Sequence, residues 1–218
     1  MAPLEILKQY WGYDQFREPQ AAIIDSVLDG KDTLALLPTG GGKSICFQLP
    51  AMAKPGMALV ISPLIALMKD QVERLHQQGI PAAYVNSSMD KQEVDHHLQA
   101  AMDGAYKLLY ISPERLLTEM FRLRLPSMPV SLLAVDEAHC ISQWGYDFRP
   151  PYLDIAAIRQ ILPGIPVIAL TASATATVQQ DIQDKLEMRN PAIFRKSFFR
   201  PNLRYFVLDE ENVAGRIL

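Results

Sequence analysis

Seven short runs rich in Val, Ile, Leu and Ala recur along the chain without polar alternation: TLALLP (33–38), MALVISP (57–63), AAYVNS (82–87), KLLYISP (107–113), SLLAVDEA (131–138), PVIALTAS (166–173) and AIFRKSF (192–198). A strand wetted on one side alternates apolar and polar residues. A run without alternation is buried on both faces, as in a parallel sheet covered on either side. Parallel neighbours need crossover connections, and the intervening stretches supply them. Helix-like segments begin at Lys43 and follow through LIALMKDQVERLHQQG, KQEVDHHLQAAM, ERLLTEMFRL, 152–162 and 174–187. The pattern reads as one α/β domain, with a doubly wound, mostly parallel sheet and helices on both faces. No repeat or low-complexity linker interrupts it, and nothing marks an internal boundary before about residue 200. In such sheets ligands bind beyond the carboxyl ends of the strands. The chemistry therefore belongs at 39–44, 62–63, 112–114, 136–139 and 171–173.

The first of these places reads LPTGGGKS, residues 37–44. Three glycines let the backbone curl and turn successive N–H groups inward, a nest for phosphate oxygens at a helix N-terminus. The expectation is that Thr39, Gly40, Gly41 and Gly42 form the cradle, Lys43 reaches the outer phosphates and the Ser44 hydroxyl binds Mg²⁺. The full pattern asks for glycine where this chain has Leu37, so the match is to the TGxGKS half. A glycine turn before an exposed lysine is common in itself, but far less so between a buried strand and a helix. A metal on the phosphates needs a second anchor from a neighbouring strand end. VDEAH supplies it, with Asp136 as metal ligand and Glu137 placed to orient or deprotonate the attacking water. An acidic pair alone is more simply a strand cap; with Lys43 and Ser44 upstream it points to a nucleoside triphosphatase that uses ATP and Mg²⁺.

Composition sets further limits. No apolar run reaches the roughly 18–20 residues of a membrane span. The opening MAPLEILKQYWGYDQ lacks the basic start and apolar core of a secretory signal. The two cysteines, Cys46 and Cys140, form no CxxC pair, which argues against a disulfide framework or a zinc site and for a reducing, cytoplasmic setting. The formal net charge of -3 excludes a chain that coats nucleic acid through a broad basic surface. Any such contact is local or shared with another domain.

The stretch DEAHCISQWGYDFRP, with FREPQ (16–20), SPLIALMKDQ (62–71), SPERL (112–116), LTASAT (170–175) and FFRPNLRY (198–205), resembles the RecQ-type DNA helicases of superfamily 2, over nearly the whole chain. The resemblance implies a RecA-like P-loop fold, with residues 1–207 as the first motor lobe and 208–218 as the start of a connection to a second RecA-like lobe that carries an arginine finger. A zinc-binding and winged-helix region would follow that lobe, beyond this chain. It implies that Gln20 hydrogen-bonds adenine, with Phe16 and Arg17 shaping the pocket. It assigns DNA sensing to Trp144, Phe148 and Arg149 beside Gln143, with His139 as relay to Glu137. It also makes Thr171 and Ser173 a link between ATP state and DNA contact; Ser173 replaces the family's usual threonine and keeps the hydroxyl. The partners implied are single-stranded and duplex DNA, and the movement 3′ to 5′.

Single-stranded bases offer flat faces, and each aromatic stack is worth about 1–3 kcal/mol without much positive charge. That suits a chain of this charge. An isolated Trp belongs by default in a core, whereas the Gly, Asp and Pro around Trp144 favour exposure. Lys69 and Gln71 lie on an amphipathic helix, either touching the DNA backbone or on a solvated face. His76, His96 and His97 read as surface residues. Arg195, Lys196, Arg200 and Arg204 form a phosphate-contacting or lobe-docking stretch. An RNA helicase lobe of the DEAD/DEAH type and a noncatalytic nucleotide-dependent DNA clamp remain as alternatives.

Overall fold

The computed structural model describes residues 1–145 and 147–197. Its centre is a sheet of seven strands: β1 (Thr33–Leu36), β2 (Met57–Ile61), β3 (Ala82–Val85), β4 (Leu108–Ile111), β5 (Val130–Val135), β6 (Val167–Thr171) and β7 (Ala192–Arg195). The order is β3-β4-β2-β5-β6-β1-β7, and every pairing among the described residues is parallel. Each expected run is a strand, and the expected mostly parallel sheet is parallel throughout. Strands β1, β2, β4 and β6 are buried at every position, which is why their sequences do not alternate.

Alternate residues still serve different layers. Leu34, Leu59, Ile111, Val135 and Ala169 face α5 (Lys91–Met102), α6 (Glu119–Arg124), α7 (Ile155–Ile161) and α8 (Ala176–Lys185). Ala35, Val60, Tyr110, Ala134 and Ile168 face α2 (Gln20–Leu28), α3 (Ile45–Ala53) and α4 (Ile65–Gln77). The sequence reading named no helix before Lys43, yet α1 (Pro3–Trp11) and α2 lie there. Ile6 and Leu7 of α1 pack on Ile24 and Leu49, capping the layer beside the phosphate loop. The spacing of Leu4, Ile6, Leu7, Tyr10 and Trp11 carried that helix, unread.

Two expected helices are shorter than their patterns. ERLLTEMFRL is split into a 3-10 turn at Pro113–Arg115 and a short α6, because the Thr118 hydroxyl donates to the Arg115 carbonyl and breaks the ladder. The 152–162 segment opens with a 3-10 turn at Pro150–Asp154, where two prolines lead, before α7 begins. At the amino edge of the sheet, Asp32 accepts from the backbone N–H groups of Val167 and Arg189 and pairs with buried Arg159 at 2.9 Å, tying the start of β1 to β6 and to the chain entering β7. Cys46 and Cys140 are buried and unpaired. Among the described residues, no helix is long and apolar enough to cross a membrane.

Candidate active site

The sheet order sets β5, β6 and β1 side by side, so the carboxyl ends bearing Asp136, Thr171 and the glycine loop are neighbours although about a hundred residues separate them in sequence. The loop turns at Gly42, which has φ +78°, and a Cβ there would collide with the Gln20 side-chain nitrogen. Lys43 and Ser44 follow at the entrance to α3. The Lys43 ammonium rests 3.5 Å from the Leu37 carbonyl of its own loop, half-buried and without apolar packing duty. The Ser44 Oγ accepts a hydrogen bond from Gln71 Nε2 at 2.9 Å.

Asp136 is 7% exposed. Burial, followed by the charge of Glu137 beside it, pushes its carboxyl up to about 6. Its backbone is held on both sides: its N–H donates to Ile61 of β2, and its carbonyl accepts from the buried Tyr152 hydroxyl, both at 2.9 Å. Glu137 occupies the left-handed region at φ +46°, a conformation costly for a side-chain-bearing residue and concentrated at working sites. Its carboxyl lies below the ordinary range because His139 hydrogen-bonds it, aided by the Lys43 charge. His139 Nδ1 is 3.2 Å from Glu137 Oε2 and 2.9 Å from Thr171 Oγ1. Thr171 donates in turn to the Ser173 carbonyl, leaving its oxygen to accept from the imidazole. One ring nitrogen thus joins the acidic pair to the 171–173 segment.

Because the folded Asp136 carboxyl titrates above its unfolded value, its charge opposes folding. Against the ordinary 3.8, the cost is about 3 kcal/mol at neutral pH. With magnesium chelated, Asp136→Asn is expected to raise Tm by several degrees above pH 6. The gain fades as pH falls from 6 toward 4, where the native carboxyl is already neutral. A thermal melt series across that range reads this directly; a variant less stable than the original at pH 7.5 contradicts it.

A cleft of about 510 Å³ opens beside the loop, lined by Tyr13, Phe16, Arg17, Gln20, Gly42 and Ile45 among others. Gln20 is almost fully buried. Its Oε1 accepts from the Arg17 N–H at 2.8 Å and its Nε2 donates to the Gly42 carbonyl at 3.1 Å, which fixes the amide orientation and leaves one N–H free for a ligand. The Arg17 guanidinium bonds the Gly40 carbonyl at 3.3 Å.

The segment after Glu137 is anchored at its base and open at its tip. Buried Ser142 donates to Asp181 of α8 at 2.6 Å, and Lys185 pairs with the same carboxylate at 3.1 Å. A Cβ on Gly145 would clash with the His139 and Ser142 carbonyls, so the turn at the tip requires glycine. Trp144 is 76% exposed, which removes the core alternative; Gln143 is exposed and Phe148 half-buried. Arg149 reaches across to donate to the Pro63 carbonyl after β2 at 3.0 Å and is paired with Asp147. Tyr146 lies outside the described residues.

Ser62 and Ser112, at the ends of β2 and β4, are buried, while Leu64 and Leu117 are about half exposed. Gln71 is half-buried and bonded to Ser44. Lys69 is exposed over the Tyr84 ring. His76 is exposed with its ring on the Ala82 carbonyl, and His97 is partly covered against Tyr106. Arg195 bonds Gln179, and Lys196 the Glu18 carbonyl. Arg200 and Arg204 lie outside the described residues. Sequence reasoning passed over Tyr13, Tyr152, Gln48 and Tyr110. Only the first carried a signal, as an aromatic three residues before Phe16.

Magnesium takes hard oxygen donors, and a serine hydroxyl with a carboxylate is that kind of set. Burial, and then the Glu137 charge, disfavours the ionised form of Asp136, and a divalent cation would favour it. The glycine loop is a hollow that side chains would fill. The residues fit magnesium with a nucleoside triphosphate. Among the described residues, no cluster of three His, Cys, Asp or Glu could hold a metal alone.

A parallel sheet carrying a glycine loop, an acidic pair and a hydroxyl-bearing strand end on adjacent strands defines the RecA-like class of nucleotide-binding lobes. Solved structures agree on the fold: the Pyrococcus furiosus Hef helicase domain aligns at a TM-score of 0.65 and 23% identity, over 86% of this chain and 39% of that one. The helicase MrfA bound to DNA aligns at 0.73 and 17%, over 90% and 29%. Residues 17–184 match the DEAD/DEAH box helicase family, and the chain belongs to it. It is 45% identical to the ATP-dependent DNA helicase RecQ of Pasteurella multocida over 95% of its length, and 47% identical to that of Bacillus subtilis over 95%. It spans about a third of the length of these relatives, 33% and 35%.

Proposed function

We propose that residues 1–207 are the first motor lobe of a RecQ-type ATP-dependent DNA helicase, acting in the cytoplasm on single-stranded and duplex DNA with 3′-to-5′ movement. Residues 208–218, outside the described residues, begin the connection to a second RecA-like lobe. Any zinc belongs to a region beyond this chain. Gln20, Phe16 and Arg17 hold the base; Thr39, Gly40, Gly41, Gly42 and Lys43 hold the phosphates. Ser44 and Asp136 hold magnesium, which when bound neutralises charge on the transferring phosphoryl group. Glu137, ionised at neutral pH, accepts the proton of the attacking water. His139, Thr171 and Ser173 carry the state of the site toward the loop of Gln143, Trp144, Phe148 and Arg149.

The observation that carries this reading is the exposed Trp144 ring on a loop anchored beside Glu137. An exposed tryptophan of this size is a stacking surface for unpaired bases, and its anchorage supports coupling over mere adhesion. The decisive assay is ATP turnover by the protein containing this lobe, with single-stranded DNA, single-stranded RNA or neither. Stimulation by DNA supports the proposal, stimulation by RNA alone favours an RNA helicase, and neither favours a clamp.

Trp144→Ala should leave basal turnover and Tm unchanged, since the ring is in solvent. DNA stimulation should fall by about an order of magnitude, on the scale of one lost stack. Loss of basal turnover together with a lower Tm would place the ring in a structural role instead.

A further inference from the structure

Ser44 is not free to choose its orientation. Gln71 of α4 donates from Nε2 to Ser44 Oγ at 2.9 Å, and its Oε1 faces two donors. Gln48 Nε2 of α3 donates to it at 2.7 Å, and the Tyr110 hydroxyl of β4 at 3.3 Å. Gln48 Nε2 spends its other hydrogen on the Tyr110 oxygen at 2.9 Å, closing a triangle. Tyr110 is 2% exposed and Gln48 5%, so water does not compete for these groups. The triangle joins α3, α4 and β4, three elements with no other reason to bring polar side chains into an apolar layer. A buried polar group costs stability unless fully bonded, and this network reaches the site through the serine hydroxyl.

We propose that Gln71 is a positioning residue for magnesium: clamped by Gln48 and Tyr110, it occupies one lone pair of Ser44 Oγ and turns the other, with the hydroxyl proton, toward the metal and phosphates. The inference rests on the nucleotide reading of the glycine loop. Groups that orient a metal ligand from behind typically govern 10- to 100-fold of metal affinity.

The test is a titration of free Mg²⁺ against a fixed low concentration of a fluorescent ADP analogue bound to residues 1–218, with a parallel binding curve in EDTA. Gln71→Leu is expected to raise the half-saturating Mg²⁺ about tenfold while leaving affinity in EDTA unchanged. On a Ser44→Ala background the same change should add less than about twofold, because its effect passes through that hydroxyl. If Gln71→Leu fails to fold, Tyr110→Phe, which removes one of the two donors to the amide, should shift the Mg²⁺ requirement about threefold in the same direction. An unchanged Mg²⁺ requirement in whichever variant folds overturns the proposal. So does an equal loss of affinity with and without Mg²⁺, or full additivity with Ser44→Ala. If the unaltered chain binds no nucleotide at saturating Mg²⁺, the loop assignment falls and this proposal with it. If it binds normally and the variants match it, this proposal falls alone.

Discussion

Residues 1–218 assayed alone should hydrolyse ATP about 10³- to 10⁵-fold more slowly than the same lobe joined to a second one. The proposed site accounts for the base, the phosphates, the metal and the water, but all on one side. The loop lies at the open edge of the sheet with Thr39 and Gly40 exposed. Among the described residues, the cations bonded to the loop are Lys43, within it, and Arg17, held on the base side by the Gly40 carbonyl. Charge developing on the transferring phosphoryl group needs a donor from across the cleft, and an arginine finger supplies a factor of that size. Steady-state turnover with saturating single-stranded DNA, compared between the lobe and the two-lobed protein, measures it. Equal rates would end the two-lobe mechanism.

Lys43→Ala should lower turnover of the two-lobed protein at least about a hundredfold, the scale of losing one preorganised donor to developing charge, while the lobe still folds. The side chain is half-buried and, among the described residues, its hydrogen bond is a long one to a loop carbonyl, so little of the fold rests on it. Its charge also holds down the carboxyls of both Asp136 and Glu137. Without it Asp136 should titrate above about 6, so the Mg²⁺ dependence of nucleotide binding should weaken at neutral pH as well. Comparable turnover in the two proteins would remove the phosphate-loop assignment.

The sheet was legible because burial on both faces writes itself into sequence: a strand such as VIALT has no polar side to show. The strand-end residues were legible for a related reason, as polar groups stand out where apolar runs stop. What could not be read depends on side chains meeting from distant elements. Gln71 has the polarity of a surface residue, and only the fold places it 27 positions back against Ser44. Tyr152 reads as one more aromatic until its hydroxyl is seen gripping the Asp136 carbonyl. The break at Thr118 follows from a hydroxyl turning back on its own backbone, a choice that periodicity does not record.

The sheet order also has a consequence for how the molecule comes into being. Among the described residues β1, which carries the glycine loop, precedes every other strand in sequence, yet it pairs with β6 and β7, the last two. During synthesis TLAL has no partner until β6, ending at Thr171, has been made, and its second only after β7. The nucleotide site thus joins segments about a hundred residues or more apart, and such contacts form late because a long loop must close before they are rewarded. A nascent or truncated chain lacking β6 and β7 would carry a bare apolar strand next to a phosphate loop it cannot yet shape, the kind of segment on which chaperones act.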